Sequence, residues 1–178
     1  MRIIFDKILG ELRESEFDCS VADIQEAVRK SLTPYNFVSY LPSASPYTTP
    51  SVTAGTPTKV TLPTTVKNSL GFAKEDVGGG EIALRYTGTS QNFKVYLSSS
   101  GKASANNVVL ELYLYKNGVE VPGVAIERKI TTGNDTGAIA VVGEVALENN
   151  DYLEIYGKVD VDTTVTFIKT SIIITGKN

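Results

Sequence analysis

Several carboxylates stand where chemistry is conceivable. Asp160 and Asp162 alternate, and Asp135 and Asp151 lie elsewhere in the same half of the chain. All four are hard oxygen donors of the kind that hold Ca²⁺. An Asp-x-Asp pair falls far short of the roughly 6–8 oxygens such an ion takes, so a solvated turn is the expectation. Glu111, Glu144 and Glu154 lie in strand-like stretches and are the candidates for a glycosidase acid and nucleophile. Nothing in their spacing brings any two together, so ion pairing or exposure is expected. Gly78-Gly79-Gly80 lacks the flanking residues of a phosphate cradle and no helical pattern follows it, which leaves a loop. Cys19 stands beside a possible helix start, where a thiolate is favoured. With no histidine and no second cysteine in 178 residues, it reads as a small apolar residue.

The missing residues exclude more. Without histidine there is no Ser-His-Asp triad, no Cys-His dyad and no histidine-bearing zinc site. The expectation is a protein with no catalytic residues, no metal and no cofactor. With 17 Lys+Arg against 20 Asp+Glu, the net charge of -3 argues against non-specific binding to nucleic-acid phosphates. Met1–Lys7 has too few apolar residues for a signal peptide, and no run approaches a membrane span. No nucleic-acid or membrane partner is therefore expected, and synthesis in the host cytoplasm is.

Three zones must position whatever these residues do. In residues 1–41 one helix is expected over about 20–32. Ser20 and Asp23 resemble a capping box, and Val21, Ile24, Val28 and Leu32 recur along one helical stripe. Thr33-Pro34 ends it. A helix this short is marginal alone and must bury its stripe on something. Ile8 and Leu12, with Ile4, suggest a second, weaker stripe interrupted by Gly10. Residues 42–58 carry no charge and four of the seven prolines, an extended linker or arm that reaches roughly 50 Å in polyproline geometry. Such an uncharged arm is expected to follow a groove on a neighbouring surface.

Residues 59–178 alternate apolar and polar residues between Gly and Asn turns. Strands are expected at Lys59–Leu62, Glu81–Tyr86, Asn92–Ser98, Val108–Tyr115, Ala125–Ile130, Ala138–Leu147, Tyr152–Val159 and Thr164–Thr175. Lys116-Asn117-Gly118-Val119 is a strong short hairpin signal. So many strands in about 120 residues specify an all-β sandwich, a jelly roll. Some strands are apolar on both faces. Leu110, Leu112 and Leu114 oppose Val109, Tyr113 and Tyr115, and Ile168, Ile172 and Ile174 oppose Val165, Phe167 and Ile173. A sandwich needs one buried face per sheet, so the second face asks for burial in an oligomer.

The stretch Arg85-Tyr86-Thr87-Gly88, Phe93-Lys94-Val95, Glu111 to Gly118, Gly143 to Leu147 and Asn150 to Ile155 resembles the trimeric jelly rolls of the complement and tumour-necrosis-factor type, especially those of phage virions. Phe5-Asp6-Lys7-Ile8-Leu9-Gly10-Glu11-Leu12-Arg13-Glu14-Ser15 resembles the short openings of phage structural proteins. The resemblance implies a homotrimer on the virion surface, with Tyr113, Tyr115 and Phe167 at the three-fold interface. It also implies capsid anchoring through Phe5, Ile8, Leu12, Val21, Ile24, Val28 and Leu32. The expected role is a head decoration or cement protein on the major capsid protein or another virion protein. The alternative is a short fibre or receptor-binding tip for a host glycan, and a polysaccharide-degrading enzyme is the remote one.

Overall fold

The computed structural model describes Ile24 and residues 36–41, 46–49, 51–60, 65–76 and 82–176. The chain divides into two compact units, residues 1–33 with 178, and residues 34–177. In the first, Ile24 is helical and exposed. The remainder of the helix expected over 20–32 lies outside the described residues.

The second unit is all β. Its strands are β1 (Asn36–Leu41), β2 (Tyr47–Thr48), β3 (Thr58–Lys59), β4 (Thr65–Leu70), β5 (Phe72–Asp76), β6 (Ile82–Tyr86), β7 (Gln91–Ala103), β8 (Val108–Lys116), β9 (Val119–Ile130), β10 (Gly137–Leu147), β11 (Tyr152–Val159) and β12 (Val165–Gly176). Sheet 1 has the order β10-β7-β12-β1-β4, with β2 on β12, and sheet 2 has the order β5-β6-β11-β8-β9, with β3 on β11. The paired strands run antiparallel and the chain repeatedly crosses between the sheets, which makes a jelly-roll sandwich.

The period of two does most of the folding. In β7, Phe93, Val95, Leu97 and Ala103 point inward, and in β8 Val108, Leu110, Leu112 and Leu114 do the same. They meet Leu153, Val159, Val165, Phe167, Ile172 and Ile174 in one core between the sheets. Phe72, Tyr86 and Phe93 close one end of that core as mutually tilted rings with centroids 4.9–5.3 Å apart. The Tyr86 hydroxyl donates to the Thr89 carbonyl at 2.6 Å and accepts from Gln91 Nε2. Gly88 lies against this ring, where a side chain would overlap the phenol oxygen.

Two expectations change here. The sandwich begins at Pro34, not at residue 59, because β1 lies between β12 and β4. The described part of the arm does not run free along another molecule's groove. Tyr47–Thr48 pairs with Thr166 and Phe167 of sheet 1, Val52 bridges to Thr163, and Thr58–Lys59 pairs with Tyr156 and Gly157 of sheet 2. The arm is thus a strap hooked over one end of the sandwich, with Val52 and Val60 buried in the core. The reason is composition: an uncharged Thr/Ser/Val segment has few charges to keep in water and offers short β-partners to exposed strand edges.

Candidate functional site

The face positions of the strands decide which side chains can act. Phe167 is 1% exposed and belongs to the core between the sheets, so it is not available to an interface. The cause is a β-bulge in β12, where the register slips between Phe167 and Lys169. Two residues there oppose one on β7, which turns Val165 and Phe167 onto the same inward face as Ile172 and Ile174. The expected opposition of these residues fails for that reason.

Tyr113 and Tyr115 do stand on the solvent side of sheet 2, half-buried. Tyr115 stacks on Tyr156 of β11 at 4.1 Å and 27°, and meets Tyr113 edge-on at 6.5 Å. Glu111 accepts from the Tyr113 hydroxyl and from Lys158 Nζ at 2.8 Å, and Lys158 stands 6.0 Å from the Tyr113 ring centroid. The Lys158 ammonium, then the Tyr113 hydroxyl, hold the Glu111 carboxyl below its ordinary range, and Glu111 in turn raises Lys158 and Tyr113. Glu154, read from its spacing as a solvent-facing residue, is 6% exposed and ion-paired with Lys59 of the strap, itself 11% exposed.

No carboxylate pair suits glycoside cleavage among these three. Glu111 lies opposite Lys158, four residues along β11 from Glu154, about 13 Å at strand rise. Each has its own lysine, and Glu144 is on sheet 1. The four aspartates serve as loop clips. Asp160 accepts from the Val109 amide, Asp162 from the Ala54 amide, and Asp135 from Arg128 and Thr131. No cluster of metal-ligating side chains occurs among the described residues. A cavity of about 10 Å³, lined by Thr49, Val52, Leu110 and Phe167 among others, has room for about one water under the strap. Gly78–Gly80, Cys19, Phe5, Ile8, Leu12, Val21, Val28 and Leu32 lie outside the described residues.

Two sequence motifs prove to be one device. Asn117 and Gly118 both adopt left-handed φ (51° and 77°), the turn that Asn-Gly favours in a two-residue hairpin. Asn117 Nδ2 donates to Asp151 Oδ1 at 2.7 Å, and its Oδ1 accepts from the Tyr152 amide at 2.9 Å. Lys116 Nζ lies 2.8 Å from Asp151 Oδ2, which also accepts from the Glu148 amide. Burial works against the Asp151 charge, but Lys116, Glu148 and Asn117 together hold its carboxyl below the usual range. A depressed folded-state pKa means stability present above the unfolded value of about 4 and lost as pH falls through the folded value. Asp151→Ala is therefore expected to cost about 1.5–3 kcal/mol at pH 7 and to shallow the fall in stability below about pH 4. Chemical denaturation at pH 7 and pH 3 checks this. An equal loss at both pH values would refute the charged clasp.

The surface that spacing alone did not single out is the outer face of sheet 1. Cross-strand registers place Val142, Tyr96 and Ile173 in one row, and Ala140, Ser98 and Ser171 in the next. Tyr96 is 40% exposed and Val142 59%, while Ser98 and Ser171 hydrogen-bond across the strands at 2.8 Å. Charge returns only one row on, at Glu144 and Lys94. The signal was present in the alternation of β7 and β10, whose outward positions carry small or apolar residues.

No family model and no curated protein matches this sequence. Solved structures do resemble its fold. Eiger TNF of S. frugiperda superposes with a TM-score of 0.56 at 8% identity, over 82% of this chain and 93% of that one. Murine APRIL gives 0.52 at 8% identity, over 80% and 99%. The vertex protein P5 of PRD1 gives 0.51 at 14% identity, over 83% and 99%. The chain is similar to these proteins in fold: an all-β jelly-roll sandwich of the tumour-necrosis-factor kind.

Proposed function

We propose that the protein is a phage virion structural protein, a homotrimer that binds without turnover and decorates the head. The observation that carries this reading is the outer face of sheet 1. Its row Val142–Tyr96–Ile173 and the uncharged row beside it suit burial against further copies of the chain. The likeness in fold to a vertex protein supports the virion role, and the likeness to TNF and APRIL supports a compact assembly. Trimer contacts through sheet 1 replace those first assigned to Tyr113, Tyr115 and Phe167. The N-terminal segment, with Phe5, Ile8, Leu12, Val21, Ile24, Val28 and Leu32, anchors the chain to the major capsid protein or another virion protein, and three anchors per trimer act together by avidity.

The chain enters the sandwich at Asn36, which pairs with Thr175 at one end of sheet 1. The opposite end is formed by the strap around Val52 and by the loops 104–107, 131–136 and 160–164. These described segments contain no aromatic residue, and a glycan-binding tip would present aromatics there. Decoration is accordingly favoured over the fibre-tip reading.

Light scattering on the full chain is expected to give three times the 19.1 kDa chain mass. Tyr96→Lys, which places a charge in the apolar row, is expected to shift the protein to monomer without unfolding it. A wild-type monomer would sink the trimer, and a trimer that survives Tyr96→Lys would sink this face. A chain lacking residues 1–33 is expected to stay trimeric yet fail to bind purified capsids. Capsid binding that persists would refute the anchor.

A further inference from the structure

We propose that the outer face of sheet 2 is a saccharide-binding platform built on Tyr113, Tyr115 and Tyr156. Four observations carry the assignment. First, the three rings form one contiguous patch, with centroids 4.1 Å apart across the strands and 6.5 Å apart along β8. That span is about two pyranose rings long, and the apolar C–H face of a sugar packs on a phenol ring while its hydroxyls remain free to hydrogen-bond.

Second, the patch is held in shape before any ligand arrives. Tyr115 is fixed by its stack on Tyr156, and Tyr113 by its hydrogen bond to Glu111. Little side-chain freedom is then lost on binding. Third, the flanking charges are paired, Glu111 with Lys158 and Glu154 with Lys59, so the patch is locally neutral. An ammonium has three protons and a carboxylate about four acceptor sites, so Lys158 and Glu111 can still reach the hydroxyls of a neutral sugar. A polyanion meets no free positive field in these pairs, and a protein partner would more often meet aliphatic side chains than phenols ringed by ion pairs. Fourth, sheet 2 is the layer opposite the face through which copies are proposed to pack, so trimer formation leaves the rings on the outside. The inference goes beyond the decoration reading and stands or falls separately from it.

The test is a titration of the full chain, labelled with ¹³C in its tyrosine rings, with cellopentaose, maltopentaose and N-acetylchitopentaose up to about 10 mM, a range that detects millimolar affinity. At least one of the three is expected to move the ring signals of Tyr113, Tyr115 and Tyr156 together and to leave Tyr96 in place. Tyr115→Ala is expected to weaken that binding at least about tenfold. Because Tyr115→Ala removes a stack, Glu111→Gln provides a second variant that keeps the shape of the face and is expected to weaken binding more modestly, about threefold. No coordinated shift with any of the three sugars overturns the proposal. So do shifts that survive Tyr115→Ala in a protein with an unchanged melting temperature. A protein that is trimeric yet moves no ring signal would retain the assembly and lose only the platform.

Discussion

A chain cut to residues 59–178 is expected not to form a stable sandwich, whereas one cut to residues 34–178 is expected to melt cooperatively. The shorter piece loses β1, whose six residues pair with β12 on one side and with β4 on the other. It also loses Val52, which is 4% exposed and plugs the gap between the sheets. Burying a valine contributes about 1.5–3 kcal/mol, and each net backbone hydrogen bond about 0.5–1.5 kcal/mol. Removing the plug and the two ladders of β1 therefore removes an amount comparable to the whole stability of a domain, about 5–15 kcal/mol. The backbone of β12 is also left partly unpaired, an edge that invites aggregation. Far-UV circular dichroism with thermal melting of both pieces decides the matter. A 59–178 piece that melts within a few degrees of the longer one would show that the strap and β1 are ornaments on a self-sufficient roll.

The largest effect of a single substitution is expected at Phe93. Its ring is 1% exposed and lies edge-on to both Phe72 and Tyr86, 5.3 and 4.9 Å away. Gly176 lies close beside the ring, leaving it little room to shift. Phe93→Ala is expected to cost about 3–5 kcal/mol, since three rings packed at angles cannot collapse into the vacancy. At about 2–4 °C per kcal/mol for a chain of this size, the melting temperature should fall by roughly 10 °C or more. Tyr96→Ala, three residues along the same strand but facing out, should cost the isolated protomer less than about 0.5 kcal/mol. Scanning calorimetry of the two variants separates the faces of β7. A Phe93→Ala variant that melts like the parent would refute the placement of this core.

The contrast between Phe93 and Tyr96 was legible in the alternation of β7, and most long strands were readable for the same reason. Asn117-Gly118 announced its hairpin because few residue pairs tolerate two left-handed φ values in succession. Other features depend on pairings more than a hundred residues apart. The run Phe37-Val38-Ser39-Tyr40, bounded by Pro34 and Pro42, carries a strand signal. It was absorbed into the helical zone because its partner is β12, at the far end of the chain. A bulge at Ile168 leaves no trace in a pattern of period two, so Phe167 was turned to the wrong side. Glu154 is buried because the strap lays Lys59 over it, which the spacing of Tyr152–Val159 does not contain. The clasp between Asn117 and Asp151 was visible as two motifs, but not as one contact.

The interior position of β1 has a mechanical meaning. A strand at the edge of a sheet peels away one hydrogen bond at a time when its end is pulled. β1 is antiparallel to both β12 and β4, and its first residue, Asn36, pairs with Thr175 on one flank and Leu70 on the other. A load applied along the chain ahead of Asn36 is therefore shared by two ladders and enters the sheet in shear. A tether leading from that point transmits tension into the middle of the sandwich, where many bonds must fail together before the strand gives way.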